Sequence, residues 1–493
     1  MITLKELIKV LEVKKILGTN GLDIEGLAYD SRQIKKNFLF VCLRGAHVDG
    51  HDFISQARER GAAAVVVEKV SEINNGLTQI VVPETKSALA KLSSRFYNFP
   101  TRSLKVIGVT GTDGKTTTTR YVKSILEEAG LKCGLIGTIT YELGERVIPA
   151  DRTTPESLDL QFLFSEMLKE GCRHAVMEVS SHGLSQRRIQ EIDFKIAVFT
   201  NLSHEHLDFH KSMDEYFLAK RKLFETGIEK GIVNRDDKFG EELYRFLGPK
   251  ALGYGLSEKA DLRAVDIRAD LSGTRYRAIG PGIDMEIVLS LLGRHNIYNS
   301  LAALGTSLEL GINSGLIKKG LEKLAFVPGR FQMVKGGQPF TVIVDYSHTP
   351  RALENALAEI RFLTRGGKLL VVFGCGGERD RTKRPIMGEI ATRLADYAFI
   401  TSDNPRGEDP ARIIEEITVG LADRKNKFLV EPDREKAITM ALDMAGPSDI
   451  VLLAGKGHEK YQIVGSVYLP FDDVEKAKAI LSRRGYNVNE PHP

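Results

Sequence analysis

The chain has 493 residues, 42% of them hydrophobic and 27% charged, and its 69 lysines and arginines against 65 acids leave a formal net charge of +4. That length exceeds what one hydrophobic core supports, so about two to four domains are expected. The near-balanced charge leaves no footprint for nucleic acid or a membrane surface, and any anionic ligand must be met locally.

The opening stretch MITLKELIKVLEVKK alternates apolar and charged residues at helical spacing and lacks the apolar core and cleavage site of a signal peptide. The longest apolar runs, such as KLLVVFG at 368–374, are strand-sized and fall far short of the roughly 20 residues needed to cross a bilayer. A cytoplasmic chain with no membrane insertion is expected. Cys42, Cys133, Cys172 and Cys375 are scattered without metal or redox spacing, which predicts reduced, mostly buried thiols.

Residues 1 to about 100 read as a small mixed α/β unit with strands in NFLFVCLRG and AAAVVVE. From residue 101 the apolar runs LKVIGVT, HAVMEVS, KIAVFTN and KGIVN alternate with helical patterns such as TTRYVKSILEEAG and SMDEYFLAKRKLFE. Alternation of this kind implies parallel strands with crossover helices and ligands at the carboxyl ends of the strands. A second series begins near residue 340 with FTVIVDYSH, KLLVVFGCGG, DYAFITSDNPR, NKFLVEP and DIVLLAGKGHE. The Gly-bearing stretch FVPGRFQMVKGGQPF separates the two series. Three α/β domains follow, at 1–100, 101–335 and 336–493. The central one is a phosphate-loop parallel-sheet domain and the last is Rossmann-like.

VIGVTGTDGKTTTTR runs from a strand into a helix through Gly111, Gly114 and Lys115. The glycines let backbone N–H groups approach phosphate, the helix N-terminus favours negative charge, and Lys115 can reach the terminal phosphates. Thr116 is placed to sit on Mg²⁺. The spacing departs from the usual pattern, with Val109 where the first glycine belongs and Gly108 one residue early. No Asn-Lys-x-Asp guanine motif accompanies the loop.

Glu178 closes the strand HAVMEVS, where a carboxylate beside a phosphate loop serves either as a Mg²⁺ ligand or as a helix-capping acid. Lys220 in YFLAKRKLF reads, on its own, as a helix-surface lysine. NLSHEHLDFH sets three histidines among acids after a strand, without a cysteine to support zinc. In DNPRGEDP, Asp409 and Pro410 make a good helix start for PARIIEEI. That leaves Asp403, Asn404 and Arg406 without a structural reason.

TGTDGKTTT resembles the ATP loop of the Mur ligase family, whose members join an amino acid or peptide to a carboxylate through an acyl phosphate. The resemblance continues in order over nearly the whole chain, through YDSR, LRGAHVDGHDFI, RTTPE, MEVSSHGLSQRR, FTNLSHEHLDFH, YFLAKRKLF, LLGRHNIYNSLAA, VPGRFQ, VDYSHTP, GCGGERDRTKRP, DNPRGEDP and GKGHE. It implies that Gly111, Thr112, Asp113, Gly114, Lys115, Thr116 and Thr117 bind ATP together with Asn296, Arg330 and Asp345. It implies a UDP-binding N-terminal domain with contacts at Ser31, Ala46, His47 and Val48, and a muramoyl-peptide region at Thr153, Thr154, Ser180, Gln186 and Arg188. Where the family has Asn before Thr-Thr-Pro this chain has Arg152, which carries nothing over. Thr116, Glu178, His206 and a Lys220 carbamylated by CO₂ are implied as Mg²⁺ ligands, with His204 left on the surface.

Arg330 follows Pro-Gly at the expected domain hinge, so closure could bring its charge to the γ-phosphate. Asp345 or His348 could assist the chemistry, and a simple cap is the other reading of His348. The substrates implied are ATP, UDP-N-acetylmuramoyl-L-alanyl-D-glutamate and meso-diaminopimelate, with a single chain acting alone. Diaminopimelate differs from lysine by a carboxylate at its far end, which a guanidinium can grip through two parallel hydrogen bonds. Arg406 is that group, with Arg379, Asp403, Asn404, Pro405, Gly455 and Glu459 around it. Rival readings are a lysine-adding ligase, a dipeptide-adding or folylpolyglutamate-type ligase, and a protein that hydrolyses ATP without ligation.

Overall fold

The computed structural model describes residues 2–45, 48–72, 76–203, 210, 212–364 and 366–488. The chain divides into two compact units, one of Met1–Ala264, Ala278–Asp284 and Tyr298–Leu321, the other of Val265–Arg277, Met285–Ile297 and Glu322–Pro493. The expected N-terminal region and the expected central region up to Ala264 therefore fall within one unit, while residues 265–277, 285–297 and 322–335 of the central region belong to the other.

In the first unit, Lys15–Leu17, Thr78–Val81, Ala62–Val67, Phe38–Val41 and Gly26–Ala28 form a five-stranded sheet in that order. Lys15–Leu17 pairs antiparallel, and the other pairings are parallel. The amphipathic opening is helical only over Leu4–Leu7 and Ile8–Val10 before the chain turns into strand, so its spacing overstates the helix. Tyr29 Oη donates to Asp159 Oδ2 at 2.7 Å and Gln190 Nε2 to Ser87 Oγ at 2.9 Å, which ties this sheet region to the next.

The larger sheet of this unit sets Cys133–Ile136, His174–Glu178, Lys105–Thr110, Phe194–Phe199, Lys230–Asn234 and Ala251–Gly255 side by side, all parallel. Each of the four runs read from sequence between 104 and 234 is one of these strands. They are buried on both faces, which is why they read as continuous Val/Ile-rich runs rather than alternating ones. Lys105–Thr110 lies between His174–Glu178 and Phe194–Phe199, so the phosphate loop, Glu178 and Thr200 emerge at one carboxyl edge.

The second unit is built on Thr341–Asp345, Ile450–Ala454, Leu369–Phe373, Tyr397–Ile400 and Phe428–Val430, five parallel strands with Gln332–Val334 antiparallel at one edge. All five parallel strands were expected; Gln332–Val334 lies inside the stretch read as a boundary. Alternate residues serve opposite faces. Ile343, Val371, Ile400 and Leu452 pack under the helices Pro350–Leu363, Lys383–Leu394 and Pro410–Thr418, while Val344, Val372, Phe399 and Leu453 pack under Arg434–Met444 and Asp473–Arg483. The four cysteines are free and buried, as expected. Among the described residues no helix is long and apolar enough to cross a membrane.

Candidate active site

At the carboxyl edge of the first unit the chain leaves Lys105–Thr110, bends through residues 111–114 and enters the helix Lys115–Glu128, with Gly114 as its N-cap residue. Four threonines in a row are poor helix formers, yet Thr116, Thr117, Thr118 and Thr119 are all buried, so packing overrides propensity here. Gly111 has a φ of +152°, and a Cβ there would lie 1.8 Å from Thr200 Oγ1. No side chain fits there.

The loop is held by its neighbours. Thr112 N–H donates to Asn201 O at 2.8 Å, Asp113 N–H to Asn201 Oδ1 at 3.1 Å, and Thr200 Oγ1 to Asp113 O at 2.6 Å. Lys115 Nζ folds back to donate to Gly111 O at 2.9 Å and Thr112 O at 2.6 Å. Lys220 is 1% exposed, and its Nζ donates to the same Gly111 O at 2.8 Å while lying 4.5 Å from the centroid of the Tyr216 ring. It is not the surface lysine its composition suggested. Lys222 is exposed.

Glu178 is 1% exposed. It accepts from Thr116 Oγ1 at 3.0 Å, from Thr138 N–H at 2.9 Å and from Thr138 Oγ1 at 3.1 Å. These are neutral donors, and a buried carboxylate calls for a countercharge. Among the described residues no group of three or more His, Cys, Asp or Glu side chains is arranged for a metal. The oxygen set of Thr116 and Glu178 suits a hard cation such as Mg²⁺. His206 lies outside the described residues.

Thr153 and Thr154 lie beside this carboxylate. Thr153 Oγ1 is 3.0 Å from Thr138 Oγ1, and Thr154 Oγ1 donates to Glu178 O at 2.9 Å and accepts from Ser180 N–H at 2.9 Å. Arg188 donates to Thr154 O at 2.9 Å and to Gln186 Oε1 at 2.6 Å, and its Nε is 3.2 Å from Glu156 Oε2. The region read from RTTPE and SSHGLSQRR is therefore one cluster. Ser31 is buried elsewhere in the unit, donating to Gln56 Oε1 at 2.5 Å; Val48 is exposed, and Ala46 and His47 lie outside the described residues.

In the second unit the strand ends converge on a charged cluster. Asp403 and Asn404 are buried after Tyr397–Ile400, and Lys456 is 0% exposed after Ile450–Ala454. Lys456 Nζ donates to Asn404 Oδ1 at 3.1 Å and to Glu459 Oε2 at 3.4 Å, and stands 3.6 Å from Asp403 Oδ1. Asn404 Nδ2 donates to Glu459 Oε2 at 2.8 Å. Burial and then the Asp403 charge hold the Glu459 carboxyl above the usual carboxylate range, with Lys456 pulling the other way. Gly455 has a φ of +111°, and a Cβ there would lie 2.9 Å from Asp403 Oδ2.

Arg406 adopts a left-handed φ of 52°, uncommon for a residue with a side chain. Its N–H donates to Ile463 O at 3.0 Å and its Nη1 to Gly377 O at 2.9 Å. Pro405 is buried, and Arg379 is exposed, donating to Glu378 O at 3.1 Å. Asp409 caps Pro410–Thr418 by accepting from Ala411 N–H at 3.0 Å, as expected. Glu408 takes both Arg384 Nη atoms at 2.9 Å, and that guanidinium holds its carboxyl down at about 2.

Asp345 is buried, accepting from Phe331 N–H at 2.9 Å and Ser347 N–H at 3.0 Å. The Arg330 guanidinium lies 4.8 Å from the Tyr346 ring centroid. His348 Nδ1 is 2.8 Å from Tyr346 O. Asn296 Nδ2 donates to Leu292 O at 2.6 Å. Sequence reading passed over Thr138, Thr200, Asn201 and Asn299 around the loop, and Lys456 and Gln462 in the second cluster. Of these only Lys456 carried a signal, a charge directly after the apolar run IVLLAG.

Known proteins bear on this arrangement along the whole chain. Residues 23–97 match the Mur ligase family catalytic domain, 109–307 the Mur ligase middle domain, and 329–457 the Mur ligase glutamate ligase domain. A UDP-N-acetylmuramoyl-L-alanyl-D-glutamate–2,6-diaminopimelate ligase of Syntrophomonas wolfei is 44% identical over 97% of this chain and 99% of its own. The protein of the same name in Clostridioides difficile is also 44% identical, over 97% and 99%. A solved structure of a ligase of that name superposes with a TM-score of 0.71 at 30% identity, covering 99% of this chain and 100% of its own. Similarity of this depth and coverage, on top of the phosphate loop and the ordered motifs, makes the chain a member of the Mur ligase family.

Proposed function

We propose that the chain is an ATP-dependent ligase that joins an amine of meso-diaminopimelate to the free carboxylate of D-glutamate in UDP-N-acetylmuramoyl-L-alanyl-D-glutamate, a cytoplasmic step of peptidoglycan precursor synthesis. The observation that carries this reading is the 44% identity, over 97% of the chain, to relatives named for that ligation. The choice of amino acid is supported in the second unit, because Arg406 Nη1 donates to Asn404 O at 3.4 Å, and the Asn404 side chain in turn donates to the carboxylate of Glu459 at 2.8 Å.

In this reaction a carboxylate oxygen of the D-glutamate attacks the γ-phosphorus of ATP, and the bond to ADP breaks, leaving an acyl phosphate. The amine nitrogen of diaminopimelate then attacks the acyl carbon, the C–O bond breaks, phosphate departs, and the nitrogen loses a proton to give the amide. Lys115 exchanges its two loop carbonyls for phosphate oxygens, and the N–H groups of residues 114–117 at the helix start line the phosphates. Arg188, Thr153, Thr154, Ser180 and Gln186 hold the muramoyl peptide, and Ser31 with residues 46–48 the uridine diphosphate. Asn296, Arg330 and Asp345 keep the nucleotide roles that the family resemblance implies, with His348 as an assisting group.

Thr116 and Glu178 are oxygen donors suited to Mg²⁺, with His206 and a carbamylated Lys220 as the further ligands. When bound, the ion neutralises phosphate charge as the phosphoryl group moves. Ligation assayed in parallel with meso-diaminopimelate and L-lysine, reading ADP and product, tests the reading. Diaminopimelate is expected to be used strongly and lysine poorly. Equal rates or a preference for lysine would overturn the specificity, and ATP turnover independent of any amine would overturn ligation itself.

A further inference from the structure

The residues read as the amino-acid pocket contain a cation that this reading does not require. Lys456 is buried completely, between two glycines at the carboxyl end of Ile450–Ala454, and its Nζ reaches Asn404, Glu459 and Asp403 within 3.6 Å. Asp403 Oδ1 is buried and makes no hydrogen bond, standing only at ion-pair distance from that lysine. A buried carboxylate left short of a hydrogen bond leaves room for another donor.

Charge bookkeeping gives the cluster a sign. Asp403 and Glu459 carry two negative charges and Lys456 one positive, a net charge of about −1 when all are ionised. The adjoining Arg434 is paired with Asp473 at 2.6 Å, both fully buried, and adds nothing net. The amino acid's far end carries one ammonium and one carboxylate. Arg406 matches the carboxylate, and the trio matches a single ammonium. Two uncompensated carboxylates would be too many for one cation, and one of them would take up a proton instead.

We propose that Lys456 is a positioning residue for amino-acid selection, setting the pocket at one negative charge and holding Asn404 and Glu459 so that they receive the far ammonium of the incoming amino acid. This rests on the functional reading above. Lys456 itself touches no reacting atom, so its loss acts on the affinity for the amino acid rather than on phosphoryl transfer.

The test compares wild type, Lys456→Met, Glu459→Gln and the double variant in full-length enzyme, by steady-state ligation and by circular dichroism. Lys456→Met is expected to raise KM for diaminopimelate about tenfold or more, since truncating one member of a buried charge pair acts on that scale. KM for ATP stays at the wild-type value and saturating kcat falls within about threefold. The double variant restores the charge and is expected to recover KM to within about threefold of Glu459→Gln alone. Should Lys456→Met fail to fold, the double variant still decides, because it removes the excess buried charge. Lys456→Met with wild-type KM, or a double variant with the two losses simply adding, overturns the proposal. A wild-type chain that ligates no diaminopimelate overturns the functional reading and this proposal with it, whereas ligation by wild type with an unaffected Lys456→Met overturns the proposal alone.

Discussion

Around the phosphate loop of the first unit the partners are mostly backbone carbonyls, hydroxyls and amides. In the second unit the strand-end cluster is made of charged side chains facing one another. Lys115 and Lys220 share the carbonyl of Gly111, and Glu178 rests on threonine donors. Lys456, by contrast, is surrounded by Asp403, Asn404 and Glu459, and Arg434 is locked to Asp473. On the proposed function, the difference follows from what each place meets. Phosphate brings a large charge of its own, so a site of oriented dipoles and movable cations can receive it. A zwitterionic amino acid brings almost no net charge, so the protein must supply both signs, already balanced.

That contrast can be broken at several strengths. The largest effect is expected at the buried pair of the second unit, where Asp473→Ala leaves the Arg434 guanidinium uncompensated and lowers stability by about 3–5 kcal/mol in urea unfolding. Replacing both partners by apolar residues of similar size should recover most of it. In the first unit, Lys115→Ala is expected to lower kcat of ligation by about 10²–10³-fold, the scale for removing one charge-stabilising donor. Its unfolding midpoint should stay near wild type, because the lysine is held only by two loop carbonyls. Unchanged turnover would mean the loop does not handle the transferred phosphoryl group.

Arg406→Ala sharpens the comparison from the other side. It is expected to cut kcat/KM for diaminopimelate by about 10²-fold, as for a truncated member of a charge pair, while nucleotide binding measured by fluorescence is retained. Loss of both together would mean that Arg406 is not confined to the amino acid. The smallest effect is expected three residues on. Asp409→Ala removes a helix cap and should lower stability by about 1 kcal/mol with amino-acid preference unchanged. A change of preference there would merge the clamp and the cap into one device.

Much of this architecture was legible because the signals were local. The strands Lys105–Thr110, His174–Glu178, Phe194–Phe199 and Lys230–Asn234, and Thr341–Asp345, Leu369–Phe373, Tyr397–Ile400 and Ile450–Ala454, are apolar runs buried for most of their length, and such runs need no knowledge of their neighbours to be seen. The phosphate loop is contiguous, and Asp409 with Pro410 announces a helix start within two residues. The opening helix was overread because amphipathic spacing is cheap over a few residues, and the strand Lys15–Leu17 follows it directly. Asn201 and Asn299 carried no signal, since an asparagine acquires its role only from the group it meets. Thr118 Oγ1 meets Asn299 Oδ1 at 3.4 Å across a separation of 181 residues.

By itself the sequence determined three things here: the parallel-sheet plan, the phosphate loop with its lysine, and the charged turn that carries Arg406. Each rests on short-range chemistry, whether hydrophobic runs, glycine freedom or a charged turn. The tertiary structure alone decided which lysines are buried against which carboxylates and carbonyls. Lys220 and Lys222 are two positions apart in one stretch, yet one is sealed against Gly111 and the other faces solvent. Lys456 follows an apolar strand like any loop lysine, yet it sits fully buried among Asp403, Asn404 and Glu459. The energy of a charge depends on what surrounds it at a few ångströms. Strand order brings 403, 404, 456 and 459 to that distance, and no local pattern in the chain encodes it.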